Sequence, residues 1–144
     1  MVSENVDESP VAGETQQVAQ SDTGLDENVA GALSYLFGII TGVLFFVVDD
    51  RPSVRFHAAQ SMVLSGALIA VFVGMSVLNT ILFATMLGDT FLIGTLLWLG
   101  FSLVWLVVGL GGFALWVYMM YTAYTGKQVV LPVVGGIAES IASK

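Results

Sequence analysis

The residues able to do chemistry are few in this sequence, and most of them sit together. His57 is the single histidine and cysteine is absent. No thiolate nucleophile, disulfide or Cys-type metal site can form, and a multi-histidine site within one chain is excluded. Arg51, Arg55, His57 and Gln60 share the stretch 49–60 (DDRPSVRFHAAQ). Arginines beside an apolar run suit contact with lipid headgroups or with a partner, and a histidine there can in principle sense pH. Arg55, His57 and Gln60, at i, i+2 and i+5, do not share one helical face, although Arg51 and Arg55 do. The plainer reading is a set of hydrogen-bonded residues on a membrane-facing surface.

The carboxylates lie elsewhere. Seven of the eleven acidic residues precede position 28: Glu4, Asp7, Glu8, Glu14, Asp22, Asp26 and Glu27. No Lys or Arg stands among them, so nothing there neutralises phosphate and nucleic acid is not expected as a partner. Such an acidic, lysine-poor composition fits a salt-loving source. No Asp, Glu, Lys, Arg or His occurs in 28–48, 61–87 or 91–124. Ion and proton pathways use such groups within the membrane, so a pump or coupled transporter is disfavoured. An oligomeric channel would need a polar lumen that these segments do not supply. Asn79 and Thr80 are the main polar residues at depth, and a hydrogen bond between helices accounts for them. No enzymatic activity, cofactor or metal is expected.

The elements that position these residues follow from composition. Of the 144 residues, 56% are hydrophobic and 10% charged, with a mean hydropathy of +0.88. A soluble domain carries about 25% charged residues. The expected fold is all-α: an integral membrane protein with three transmembrane helices, the second and third forming a long hairpin. Residues 1–25 have no sustained apolar period and are expected to be a disordered acidic tail. They start negative, and the apolar run begins late, unlike a signal peptide.

The first span is expected over 28–48, long enough at about 1.5 Å per residue for a bilayer core of about 30 Å. The second is expected over 53–87, opening on a short amphipathic segment with Pro52 at its first turn. Gly88, Asp89 and Thr90 read as a tight turn into a third, long helix over 91–124. Gly126 should close that helix. The remainder, 128–144, could lie on the membrane surface as an interfacial segment. With three spans, Arg51, Arg55, Lys127 and Lys144 all fall on one side. The positive-inside rule then places the C-terminus in the cytoplasm and the N-terminus outside, with the plasma membrane as the expected location.

Two packing patterns stand out. Ser34, Gly38 and Gly42 form one row of small residues at spacing four, and Gly66, Ala70 and Gly74 form another. Such rows let helix backbones approach closely in lipid, either within one chain or in a homodimer or partner complex. Trp98, Trp105 and Trp116 fall within about 20° of one another around a helix, with Ser102, Gly109 and Gly112 near the same stripe. That stripe suits a packing surface, or lipid anchoring at Trp98 and Trp116, with Trp105 too deep for an interfacial belt.

Residues 28–35 (NVAGALSY), 55–61 (RFHAAQS) and a Gly126-Lys127 turn followed by Leu131-Pro132 carry a family resemblance. Together they resemble the small prokaryotic membrane proteins of unknown function grouped with the Tic import component of the chloroplast inner envelope. The resemblance covers about residues 26–141, and RFHAAQS is its most specific part. It implies a membrane protein without catalytic residues. The plant relatives are implicated in protein translocation and usually have four spans, against three expected here. The resulting expectation is a structural or accessory component of a membrane complex, contacting lipids and another membrane protein or further copies of itself. A protein-translocation component is the alternative.

Overall fold

The computed structural model describes residues 23–86 and 91–144, which form five helices. These are α1 (Glu27–Leu33), α2 (Ile39–Val48), α3 (Pro52–Met86), α4 (Phe91–Tyr124) and α5 (Val134–Ala142). Most of the expected acidic tail, and the turn at Gly88, Asp89 and Thr90, lie outside the described residues.

Helices α3 and α4 are each long and apolar enough to cross a membrane. Pro52 occupies the first turn of α3, where a backbone N–H has no helical partner to lose. Gly111 and Gly112 do not interrupt α4. Its end is closed by Gly126 at φ +73°. Gly126 N–H donates to the Ala123 carbonyl at 3.1 Å and Lys127 N–H to the Thr122 carbonyl at 2.9 Å. That pairing is a Schellman motif, and it needs the left-handed backbone glycine allows.

The first apolar segment departs from expectation. It is not one helix over 28–48 but two short ones, α1 and α2, separated by a break over residues 34–38. Gly38 carries the reversal at φ +58° and ψ −118°. A β-carbon at Gly38 would collide with the Ser65 hydroxyl of α3. One at Gly42 would stand 2.8 Å from Met62 Cγ and 3.0 Å from the Ala58 carbonyl. The small residues therefore do two jobs at once. They bend the backbone at Gly38 and let α2 lie directly on α3 at Gly42.

These contacts fix the directions. Gly31 of α1 lies beside His57, Ser34 beside Ser61, and Gly38 beside Ser65, so α1 climbs along α3. Gly42 then faces Met62 and Ala58, and Phe45 packs with Val54 and Ala58, so α2 descends again. The chain that starts at one end of the bundle returns to it. Thr23 Oγ1 donates to Asp49 Oδ2 at 3.4 Å across that end.

The core sits at the same end. One cluster joins Ala30, Phe45, Val54 and Ala58. The other joins Ala32, Tyr35, Leu64, Met119 and Ala123, with Val129, Leu131 and Val134 packed on it. Residues 128–144 do not lie free. They fold back so that α5 packs on α3, burying Gly135 and Ala138. Gln60 Nε2 donates to the Val129 carbonyl at 3.0 Å and ties this segment down. Towards their other ends α3 and α4 have little cover: Ala70, Gly74, Leu97, Trp98 and Leu106 are all exposed.

Candidate functional site

The break in the first apolar segment would be costly in lipid if its backbone groups were left unpaired. They are paired, by neighbouring backbone and by side chains from three elements. Ser61 Oγ of α3 donates to the Ser34 carbonyl at 2.7 Å and approaches the Gly38 carbonyl at 3.0 Å. Thr41 Oγ1 donates to the same Ser34 carbonyl at 2.9 Å and accepts from the Phe37 N–H at 3.1 Å. Trp116 Nε1 of α4 donates to the Tyr35 carbonyl at 2.7 Å. Ser34 Oγ donates within α1, to the Ala30 carbonyl at 2.9 Å.

Towards the start of α3 lies a buried polar group. His57 is enclosed by Tyr35, Phe56 and Gly31, with ring centroids 5.9 Å from Tyr35 and 5.4 Å from Phe56. The Tyr35 hydroxyl reaches His57 Nδ1 only at 3.4 Å, a long hydrogen bond. Gln60 is fully buried; its Nε2 is bonded, while Oε1 has no partner.

An ion pair closes the mouth of the packed end. Arg51 grips Asp49 with two bonds, Nε to Oδ1 at 2.9 Å and Nη2 to Oδ2 at 2.7 Å. The Arg51 N–H adds a third, to Oδ1 at 3.1 Å. These hydrogen bonds hold the Asp49 carboxyl below its ordinary range, and the same pairing pushes the Arg51 guanidinium up. Arg51 Nη1 is buried without a partner. Arg55 is arranged differently. It lies half-buried over the Phe46 ring, 4.4 Å from its centroid, and pairs at 3.6 Å with the exposed Asp50.

These positions change how the sequence candidates read. Arg51, His57 and Gln60 are buried against protein, so they do not face headgroups; Arg55 alone of the four is partly open. Helical faces do not separate these residues, because α1, α2, α4 and α5 surround the start of α3, and every residue from Phe56 to Ser61 is buried. Ser34, Gly38 and Gly42 are brought together with α3, though not as a straight helical row. Gly66, Ala70 and Gly74 are left without a partner: a β-carbon at Gly66 or Gly74 would meet nothing, and Ala70 is exposed.

The three tryptophans also separate. Trp98 is exposed, Trp105 stacks on Phe72 of α3 at 5.3 Å, and Trp116 bonds the break. Gly112 sits against Leu68, while Gly109 faces open space. Thr80 bonds its own helix, at the Ser76 carbonyl, rather than another. Ser61 and Thr41 were missed as site residues. Their signal is a hydroxyl three or four residues from a glycine or serine, too common to single them out.

Among the described residues, no three His, Asp or Glu side chains converge as a metal would require. The arrangement holds a bent backbone inside an apolar setting and anchors it at one polar mouth.

No family model matches the chain, and no solved structure matches it. Among curated relatives, the chain is 41% identical over 123 residues to a UPF0132 membrane protein of Methanocaldococcus jannaschii, covering 85% of this chain and 94% of that one. It is 39% identical over 116 residues to a UPF0132 membrane protein of Archaeoglobus fulgidus, covering 80% and 94% respectively. A second protein of that name from Methanocaldococcus jannaschii is 31% identical over 117 residues, covering 81% of this chain and 70% of the relative. At that identity and coverage, the chain belongs to the UPF0132 family of membrane proteins.

Proposed function

We propose that this protein is a non-enzymatic, multi-pass subunit of a plasma-membrane assembly, held to another membrane protein or to further copies of itself by the outer halves of α3 and α4. The observation that supports the reading is the state of those halves. Between Gly66 and Met86, and between Phe91 and Gly111, neither helix carries a charge. A β-carbon at Gly66, Gly74, Gly100, Gly109 or Gly111 would meet nothing within 4 Å. In lipid, close approach of backbones at small residues is what drives helix association. Lipid chains cover whatever surface the partner leaves.

Photoreactive side chains at Gly74 and Trp98 in native membranes test this reading. Adducts with a second protein are expected from both positions, and those from the Trp98 probe should weaken when Gly74→Ile is added. Adducts with lipid alone would sink the proposal. A translocation role is supported by the RFHAAQS resemblance, and its mark would be a transiting precursor captured by the same probes. The basic residues favour a cytoplasmic position for the packed end, as the positive-inside bias requires.

A further inference from the structure

We infer that residues 27–48 do not cross the membrane but form a wedge that enters and leaves it at the packed end. The wedge presents its apolar outer face to the acyl chains of one leaflet. The acidic N-terminal tail then lies on the same side as the C-terminus. This goes beyond the proposed function and does not depend on it.

The geometry carries the inference in three steps. First, both ends of the segment are at one place. Thr23 reaches Asp49, and the charges of Asp26 and Glu27 act on Arg51. A β-carbon on Gly126, at the close of α4, would stand 3.1 Å from Asn28 Oδ1. Second, the reach is short. The reversal at Gly38 is level with Ser65, about 20 Å along α3 from Pro52 at 1.5 Å per residue. A bilayer core is about 30 Å thick, and α3 continues about 30 Å beyond Ser65. Third, the segment is built for lipid. Phe37, Ile40, Val43, Leu44 and Val47 are exposed on its outside. The Ser34 carbonyl and the Phe37 N–H, left out of the backbone pairing at the break, are bonded by Ser61 and Thr41, while Trp116 and Ser61 add second bonds at the Tyr35 and Gly38 carbonyls. Irregular backbone is tolerated at membrane depth only when it is satisfied by protein in this way. Residues 1–26 contain no apolar run long enough to cross by themselves.

The natural absence of cysteine makes the test direct. Single cysteines at Ser9, Asp89 and Ser143 in the full chain are exposed to a membrane-impermeant maleimide in sealed vesicles of both orientations. Ser9→Cys and Ser143→Cys should label from one face, with complete loss from the other, and Asp89→Cys should show the reverse. Labelling of Ser9→Cys and Ser143→Cys from opposite faces would overturn the inference and restore three spans. Depth is read separately, from a nitroxide on Ile40→Cys, a position already exposed to the outside. Collisions with oxygen and shielding from a water-soluble nickel chelate are expected. Free access of the chelate would mean the wedge is not inserted, which also overturns the inference.

Discussion

The two ends of the long helices obey different rules. At the packed end, α1, α2 and α5 crowd around α3 and α4, and polar groups are buried and bonded, save Arg51 Nη1 and Gln60 Oε1. At the outer end, the same two helices carry hydroxyls that bond only their own backbone, as Ser76, Thr80, Thr85 and Ser102 do. Identical side-chain types therefore have different consequences. Ser61 at the packed end ties two elements together; a serine at the outer end repeats what its helix has already made. Stability should concentrate where the bonds are long-range.

The largest expected effect lies within the packed end, where two neighbouring ion pairs differ in burial. Asp49 and Arg51 have side chains 0% and 7% exposed, while Asp50 is 84% exposed beside Arg55. Asp49→Ala leaves Arg51 buried without its anion and should cost about 3–5 kcal/mol. Asp50→Ala should change stability by about 0–1 kcal/mol. Thermal unfolding in detergent, with ordered structure followed by circular dichroism, compares them. Acid titration gives the same answer by another route. The Asp49 carboxyl is depressed in the folded state, so its contribution is fully present above the ordinary carboxylate pKa of about 4. It is lost as pH falls through the lower folded value. Wild type should lose stability in that window, and Asp49→Asn should lose less.

Glycines supply the next contrast. At Gly38, alanine must take a positive-φ backbone at ψ −118° that side chains rarely adopt, which costs about 1–3 kcal/mol, and must displace Ser65. At Gly74, alanine meets nothing and gains about 1 kcal/mol of helix propensity. Gly38→Ala should therefore lower the melting temperature and Gly74→Ala raise it. If both substitutions shift it in the same direction, the division between the two ends is wrong.

The same contrast explains what could be read from the sequence. The long helices α3 and α4 were legible because apolar length is a composition property, and the Gly126 closure was legible because glycine marks such ends. The break at Gly38 was not. Residues 28–48 contain no charge and twelve Leu, Ile, Val or Phe, so composition favours a single span. What holds the segment bent is Ser61 and Trp116, 27 and 81 positions away from the carbonyls they bond. No periodicity within 28–48 encodes those partners. His57 and Gln60 were misplaced for a related reason: a helix enclosed on every side has no outer face from which to argue. Gly38 and Gly42 lie close against α3, yet spacing could not say that one of them would also reverse the chain.

Hydroxyls give a smaller test. Ser61→Ala removes the donor shared by the Ser34 and Gly38 carbonyls and should cost about 1–2 kcal/mol. Thr80→Ser keeps its bond to Ser76 and should change little. Hydrogen exchange would localise the effect, with Ser61→Ala raising exchange over residues 34–42 and leaving the outer half of α3 unchanged.

The smallest effect should be a gain. Among the described residues Val133 is the one non-glycine with positive φ, at 69° with ψ −58°. Val134 N–H bonds the Pro132 carbonyl at 2.8 Å across it, so the turn is a γ-turn of the rare, strained hand. A β-branched residue suffers most in such a backbone. The residue is 81% exposed, so little packing compensates for the strain. Val133→Gly relieves about 1–2 kcal/mol of backbone strain. Against that stands about 0.5–1 kcal/mol for the extra freedom of glycine in the unfolded chain. The net gain should be below about 1 kcal/mol, seen as a small rise in melting temperature. The strain is held because α5 is already fixed on both sides of the turn, by Gln60 on Val129 and by the burial of Gly135 and Ala138. Nothing among the described residues of the outer halves of α3 and α4 could hold a comparable distortion, because the two helices meet there at few points, Trp105 on Phe72 among them.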